Sequence, residues 1–88
     1  MYYIGEYSND LKNGYGEYKW ASGNVYKGHY LDDKRHGYGE MQWSDGSKYQ
    51  GEWFNGVQHG FGKMIFASGE VKEGLFEGGA YKVEGSEE

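Results

Sequence analysis

Glycine recurs along this 88-residue chain at a fixed interval of 23 residues. Thirteen of the 17 glycines belong to four such series, and the chain is long enough for almost four repeats. The series are Gly5, Gly28, Gly51 and Gly74; Gly14, Gly37 and Gly60; Gly16, Gly39 and Gly62; and Gly23, Gly46 and Gly69. A period of this length is typical of stacked repeat arrays, in which each unit buries its apolar side against its neighbours. The register therefore predicts an ordered array rather than a flexible glycine-rich chain.

The aromatic residues follow the same register, with 13 of 17 at four repeat positions. They are Tyr3, Tyr26 and Tyr49; Tyr7, Tyr30, Trp53 and Phe76; Tyr15, Tyr38 and Phe61; and Trp20, Trp43 and Phe66. Within a repeat, aromatic residues and glycine alternate with polar residues, as in the segment Tyr26-Lys27-Gly28-His29-Tyr30. A period of two predicts β-strands with one apolar side.

The pairs Ser22-Gly23, Asp45-Gly46 and Ser68-Gly69 predict tight hairpin turns, because glycine supplies the positive φ that such turns require. Longer polar links, such as 9–13 and 32–36, are expected to close the other side of the sheet. We therefore predict an all-β fold, an elongated single-layer antiparallel β-meander of repeated hairpins with seven or eight strands. The strands are expected near residues 2–7, 15–20, 25–30, 38–43, 48–53, 61–66, 71–76 and 80–84.

Glycine inside a strand normally weakens it, yet here it recurs beside aromatic positions. A flat ring can lie over a glycine of the neighbouring strand and replace the missing side-chain contact. We therefore predict that Tyr3, Tyr26 and Tyr49 pack over the repeat glycines. A phosphate-binding loop is the weaker explanation of Gly14-x-Gly16, because such a loop occurs once and precedes a helix.

No catalytic, metal or cofactor site is predicted. The chain lacks cysteine, and His36 and His59 would lie two strand spacings, about 9–10 Å, apart, which is too far for one metal ion. Carboxylates such as Glu40 and Glu52 would lie on the polar side of a thin sheet, where no dry cleft shifts their pKa values. We therefore expect a protein that is not an enzyme.

The charge balance narrows the choice of partners. Fourteen acidic and nine basic residues give a formal net charge of −5, which argues against nucleic acid and an anionic membrane as the main partner. No stretch approaches the ~20 apolar residues that span a bilayer, and the N-terminus lacks the profile of a signal peptide. We expect a cytoplasmic chain.

The segment 49–62 reads Tyr-Gln-Gly-Glu-Trp-Phe-Asn-Gly-Val-Gln-His-Gly-Phe-Gly, and Ser68-Gly69 follows it. This pattern resembles the MORN (membrane occupation and recognition nexus) repeat, and the resemblance extends over about residues 2–79. It implies a ribbon of β-hairpins that serves as a protein-interaction scaffold, often in cytoskeletal, ciliary or membrane-junction assemblies. Lipid binding has also been proposed for the family. The chain departs from the pattern at Asp10 and Asp33, which replace glycine, and at Lys72, which replaces the leading tyrosine.

The repeats predict one domain over residues 1–83. Its repeats are expected near 2–24, 25–47 and 48–70, followed by a degenerate cap at 71–83. Residues 84–88 are predicted to form a disordered acidic tail. The first and last strands leave open edges, so end-to-end pairing of two copies is a further expected mode of association.

These observations predict a non-enzymatic adaptor or scaffold that binds a segment of another protein along a concave aromatic face. The bound segment is expected to be a peptide, a helix or a disordered stretch of basic or mixed charge. The predicted contact residues are Tyr7, Trp20, Tyr30, Trp43, Trp53 and Phe66, with Glu17, Glu40 and Glu52 as a charged rim. Tyrosine and tryptophan suit this role because they combine a large contact area with a polar group.

Other interpretations stay open. One is a phospholipid-binding module that uses Lys12, Lys34, Arg35 and Lys48, although the net charge counts against it. Another is a docking or regulatory fragment of a larger enzyme, since MORN repeats precede lipid-kinase and methyltransferase domains. An aromatic–glycine repeat that binds choline is disfavoured, because its repeat is shorter and lacks the Gly-x-Gly pair.

Overall fold

The computed structural model describes residues 1–84 and shows eight strands in one antiparallel sheet. The strands are β1 (Tyr2–Ser8), β2 (Leu11–Lys19), β3 (Val25–Leu31), β4 (Lys34–Gln42), β5 (Lys48–Phe54), β6 (Val57–Ile65), β7 (Val71–Glu77) and β8 (Ala80–Glu84). Each strand pairs with its neighbours in the chain, so the sheet is an open meander with β1 and β8 at its edges. The molecule measures 41 × 27 × 15 Å. These features confirm the predicted fold class.

Tight turns lie on both long sides of the sheet, including the side where longer polar links were predicted. Two-residue turns with positive φ at both residues occur at Asn9-Asp10, Asp32-Asp33, Asn55-Gly56 and Gly78-Gly79. As a result β2, β4 and β6 each begin four residues earlier than expected. Asparagine and aspartate tolerate the left-handed conformation, so the first two of these turns form without glycine.

The Ser-Gly and Asp-Gly pairs lie within the five-residue connections at 20–24, 43–47 and 66–70. Their glycines do have positive φ, for example 101° at Gly23 and 97° at Gly46. Each connection is closed by a backbone hydrogen bond, such as the one from the Gly23 amide to the Trp20 carbonyl at 3.0 Å. The prediction of tight turns with positive φ at these glycines was therefore right.

Each of the first three hairpins contains a β-bulge near its middle. The register shifts between Gly5 and Tyr7 in β1, and at the equivalent positions of β3 and β5. On the partner strand Gly14, like its repeat equivalents, has a positive φ. Bulges bend a strand. The strands therefore bend at these positions.

The tyrosine rings lie over the strand glycines, as predicted. A β-carbon added at Gly39 would overlap the Tyr26 ring, and one added at Gly62 would overlap the Tyr49 ring. The Tyr26 hydroxyl donates a hydrogen bond to the His29 carbonyl at 2.9 Å, and Tyr3 and Tyr49 make the equivalent bond. Gly28 and Gly39 are direct partners across β3 and β4, so a bare patch of backbone accommodates each ring.

The rings contact one another edge to face along the length of the sheet. Tyr26 contacts Tyr30 on its own strand at 5.2 Å between centroids and Trp53 two strands away at 5.4 Å. The same two contacts recur for Tyr3 and for Tyr49. The buried core consists of Tyr26, Tyr30, Met41, Tyr49, Trp53 and Phe76. We call the side of the sheet that carries this core the aromatic face.

The two ends of the sheet differ. Tyr7 in β1 is 60% exposed, whereas its repeat equivalents Tyr30, Trp53 and Phe76 are buried. At the other end Tyr81 of β8 packs against Phe76 at 5.4 Å between centroids. Glu84 is the last residue of β8, and the remainder of the predicted tail, 85–88, lies outside the described residues.

Candidate interaction surface

The three acidic residues predicted to form a rim lie on the face opposite the aromatic face. Glu17, Glu40 and Glu52 each stand between two residues of the aromatic face in their strands, so their side chains point the other way. Glu40 forms an ion pair with Lys48, with Oε2 and Nζ 3.5 Å apart. The negative charge that these three residues were expected to place along the aromatic face therefore lies on the opposite face.

Glu52 has a structural contact at the bulge. Its Oε1 accepts a hydrogen bond from the Phe61 amide at 3.2 Å, and the Glu6 carboxylate accepts one from the Tyr15 amide at 2.9 Å. These carboxylates satisfy backbone donors that the bulge leaves without a strand partner. The glutamate that follows the strand glycine thus closes the bulge in two repeats, and His29 occupies this position in the second.

Two of the predicted aromatic contact residues are buried in the core. Tyr30 and Trp53 are only 7% and 5% exposed, and the Trp53 Nε1 donates a hydrogen bond to the Gly39 carbonyl at 3.1 Å. Burial raises the pKa of Tyr30 to about 12. A partner could reach these rings only by opening the core, although Tyr7 stays accessible at the edge.

The other three predicted rings share one repeat position, directly after β2, β4 and β6, and Trp20 and Trp43 pack against the core of the aromatic face. Trp20, Trp43 and Phe66 are half-buried, and each is the first residue of a five-residue connection. Each also donates its amide to the last residue of that connection, so the backbone that holds the ring is fixed. We call these residues the ring row. It presents one partly exposed aromatic side chain per repeat.

Three basic residues line a cavity beside the first ring of this row. Lys12, Lys34 and Arg35 line a cavity of about 250 Å³, which we call the basic pocket, together with Trp20 and Asp33. The Arg35 guanidinium carbon lies 5.0 Å from the Trp53 ring centroid and 6.0 Å from that of Trp20. Arg35 is the second residue of β4, and Trp20 directly follows the last residue of β2. The two residues therefore lie at opposite ends of the strands, and their side chains meet above the aromatic face.

Hydrogen bonds hold the pocket together. Asp33 Oδ1 accepts the Lys12 amide at 2.7 Å and lies 3.2 Å from Lys12 Nζ, and these bonds lower the pKa of Asp33. Arg35 donates to the Gly56 carbonyl at 2.8 Å. Lys12 Nζ also lies 5.6 Å from the ring centroids of Tyr3 and Tyr18.

The sequence model of the MORN repeat matches residues 3–25, 26–48 and 49–71. The chain belongs to the MORN repeat family. MORN repeats occur in proteins that bind membranes or lipids and in proteins that bind other proteins, and the repeat is generally a non-catalytic module. A search of curated proteins finds none that matches the chain. Each matched repeat begins at a tyrosine that packs over strand glycines.

The MORN register shows what the sequence reasoning missed. Lys12 and Arg35 occupy the same position of the first and second MORN repeats, and Gln58 occupies it in the third. The sequence identified these cations as lipid-binding candidates but did not place them on the aromatic face. Their 23-residue spacing was the available signal. The fourth candidate, Lys48, pairs with Glu40 outside the pocket.

The titratable groups of this MORN chain give no sign of a metal site within residues 1–84. No group of three or more His, Cys, Asp or Glu side chains there could hold a metal ion. His36 and His59 both pack against the Phe54 ring, at 5.4 and 5.7 Å between centroids. In the same part of the chain there is no helix long and apolar enough to cross a membrane.

Proposed function

We propose that this MORN array is a non-enzymatic scaffold that binds a segment of another protein across the ring row. The observation that carries the proposal is the repetition of one half-buried ring per repeat, at Trp20, Trp43 and Phe66. Large rings held on a fixed backbone bring contact area at little entropic cost, which is why Trp and Tyr are frequent in binding hot spots. We further propose a cytoplasmic setting in a cytoskeletal or ciliary assembly, as the family resemblance suggests.

The space between neighbouring rings supports this proposal. Trp20 and Trp43 line a cavity of about 370 Å³, whose floor includes Met41 and whose polar wall includes Asn24 and Arg35. An apolar floor with a few polar groups is the composition expected of a binding site for a side chain.

The test compares two pairs of exposed rings. Trp20→Ala/Trp43→Ala truncates two rings of the ring row, and Tyr15→Ala/Tyr38→Ala truncates two exposed rings of the opposite face that are also one repeat apart. Both proteins should be folded, as judged by circular dichroism, before they are used to capture partners from a lysate. Trp53 is unsuitable for this purpose because it is part of the core.

We expect the first variant to lose a protein that the wild type and the second variant retain. Loss in the second variant alone would assign the interface to the opposite face. Equal capture by all three proteins would contradict the proposal, because neither set of exposed rings would then contribute.

Membrane binding is a second candidate, and the basic pocket favours it. Lys12, Lys34 and Arg35 lie together on one side of the molecule, where they could meet an anionic headgroup. Cosedimentation with phosphatidylserine vesicles, compared with phosphatidylcholine vesicles, tests this candidate. Binding to neither kind of vesicle would exclude it.

End-to-end pairing of two copies is a further proposal, which the open edges support. Within residues 1–84, β1 and β8 each have one strand neighbour, and the Tyr7 ring at the β1 edge is exposed. Sedimentation equilibrium over a range of concentrations tests this association. A monomer at all concentrations would contradict it.

A further inference from the structure

The charge of the residues that line the basic pocket is opposite to that of the whole chain. The formal net charge is −5, yet the basic pocket contains three cations and only one carboxylate, that of Asp33. The acidic residues Glu17, Glu40 and Glu52 point away from it. The expectation of a basic or mixed-charge partner followed from the net acidity of the chain, and these carboxylates do not bring that acidity to the aromatic face.

We propose that the bound protein segment is acidic and that the basic pocket receives one of its Asp or Glu carboxylates. This inference rests on the proposed function and specifies its partner. A positive site on one partner selects a negative group on the other, because mismatched charges at an interface are strongly unfavourable.

Arg35 is suited to this contact. A guanidinium has five N–H donors in a planar fork, and it binds a carboxylate through two parallel hydrogen bonds. One terminal nitrogen already donates to the Gly56 carbonyl, which fixes the plane of the group and leaves donors for a ligand. The Trp53 ring below it holds the guanidinium in place through a cation–π contact.

The surroundings of the pocket strengthen the contact. The rings of Tyr18, Trp20 and Tyr30 form its walls, and apolar walls reduce the screening of a charge pair by water. Lys12 and Lys34 also line the pocket, and the Asp33 carboxylate is paired with Lys12. The adjacent ring row provides a place for an apolar side chain of the same segment.

A carboxylate of a protein is favoured over a lipid surface by the shape of the site. The three basic residues line a cavity of about 250 Å³, whereas binding to a flat anionic surface uses basic groups spread over a plane. The remainder of the chain is acidic and would be repelled by such a surface.

The experiment is a selection of short random peptides displayed on phage, with the wild-type protein as bait. We expect the enriched peptides to contain Asp or Glu next to aliphatic or aromatic residues. The most enriched peptide is then synthesised with a fluorophore, and its dissociation constant is measured by anisotropy.

The decisive variant is Lys12→Gln/Arg35→Gln. Glutamine is the residue at the equivalent position of the third repeat, so the fold accommodates it. We expect this variant to bind the peptide at least about tenfold more weakly, since it loses two charge-assisted contacts. The control Lys27→Gln/Lys63→Gln makes the same change in net charge on the opposite face and should alter the affinity by less than about twofold.

The outcomes separate this inference from the proposed function. Enrichment of basic or uncharged peptides, or equal affinity of the two double variants for an acidic peptide, would overturn the inference and leave the binding module intact. Failure to enrich any peptide would count against both. Binding of the wild type to phosphatidylserine vesicles that is lost in Lys12→Gln/Arg35→Gln, without acidic peptides in the selection, would assign the pocket to a lipid headgroup instead.

Discussion

The ring of Tyr26 covers Gly39 on the neighbouring strand so closely that a single added methyl group at Gly39 would overlap it. The Tyr26 side chain is fully buried, and its hydroxyl donates a hydrogen bond to the His29 carbonyl. This pair explains why glycine recurs in the strands of this sheet. Because glycine has no side chain, it leaves a space that the ring of the next strand occupies.

Replacement of Gly39 by alanine should therefore be costly although its backbone φ is one that any residue can adopt. Overpacking of a filled site costs about 1–3 kcal/mol, and we expect Gly39→Ala to lower the free energy of unfolding by at least about 2 kcal/mol. Urea denaturation followed by tryptophan fluorescence measures this loss.

The control for this variant is Gly69→Ala. Gly69 has a φ of 99° but nothing within 4 Å of the position of an added β-carbon. Gly69→Ala should lower the free energy of unfolding only by the cost of a positive φ for alanine, about 1–2 kcal/mol. A double-mutant cycle with Tyr26→Ala adds a second check, because the cost of Gly39→Ala should shrink when the ring is removed. An unchanged cost would contradict the packing explanation.

The Glu52 carboxylate should stabilise the fold through the bulge. Loss of its hydrogen bond to the Phe61 amide leads us to expect that Glu52→Ala lowers the free energy of unfolding by about 1 kcal/mol. Glu17→Ala is the matched control, since the Glu17 side chain lies on the same face and accepts no hydrogen bond within residues 1–84. Equal effects in thermal melts would show that charge, rather than the bulge contact, matters.

Stability should fall at alkaline pH. Burial, followed by the nearby Glu52 carboxylate, raises the pKa of Tyr49 to about 12, whereas an unfolded tyrosine ionises near pH 10. Between about pH 10 and 12 the folded state keeps a proton that the unfolded state releases, so the free energy of unfolding decreases as pH rises through this window. Below pH 10 this contribution is fully present.

Urea denaturation at several pH values between 9 and about 12, with phenolate absorbance recorded in parallel, measures this dependence. Tyr49→Phe should start from a lower stability, because it loses the hydrogen bond to the Glu52 carbonyl. Its stability should then decline less steeply with pH. A slope identical to that of the wild type would refute the assignment to Tyr49.

The β1 end of the sheet should open before the middle. Tyr2, Ile4 and Tyr7 of β1 are exposed, whereas β3 and β5 contribute the fully buried Tyr26 and Tyr49. Repeat arrays unfold locally from weakly packed units. We expect the hydrogen-bonded amides of β1 to exchange with deuterium at least about tenfold faster than those of β4. Uniform protection across the sheet would contradict this expectation.

Much of the fold follows from the sequence, because the 23-residue register fixes which residues face which. Tyr26 over Gly39 could be predicted in this way. The tight turn at Asn9-Asp10 was missed, since neither residue is glycine and the left-handed conformation depends on their short polar side chains. The candidate site could be predicted only in part. Strand alternation assigns Glu52 to the opposite face, but it does not reveal the bulge that the Glu52 carboxylate closes.

The basic pocket could not be predicted for a different reason. Arg35 and Trp20 start from opposite sides of the sheet, and on flat strands they would be far apart. Their approach depends on the bend of the strands at the bulges, which a two-residue period does not describe. The shared repeat position of Lys12 and Arg35 was visible, but its meaning depended on that curvature.

The repeat spacing of the ring row limits which backbone conformations of a bound segment could place a side chain at each ring. Successive rings are separated by two strand spacings, about 9–10 Å. A polyproline II helix returns to the same side every three residues, after about 9 Å, and an α-helix does so every seven residues, after about 10.5 Å. An extended β-strand, with a step of about 6.6 Å between side chains of one side, falls out of phase after one ring. Under the proposed binding mode, the spacing of the ring row therefore favours a partner segment whose side chains repeat on one side every about 9–10 Å.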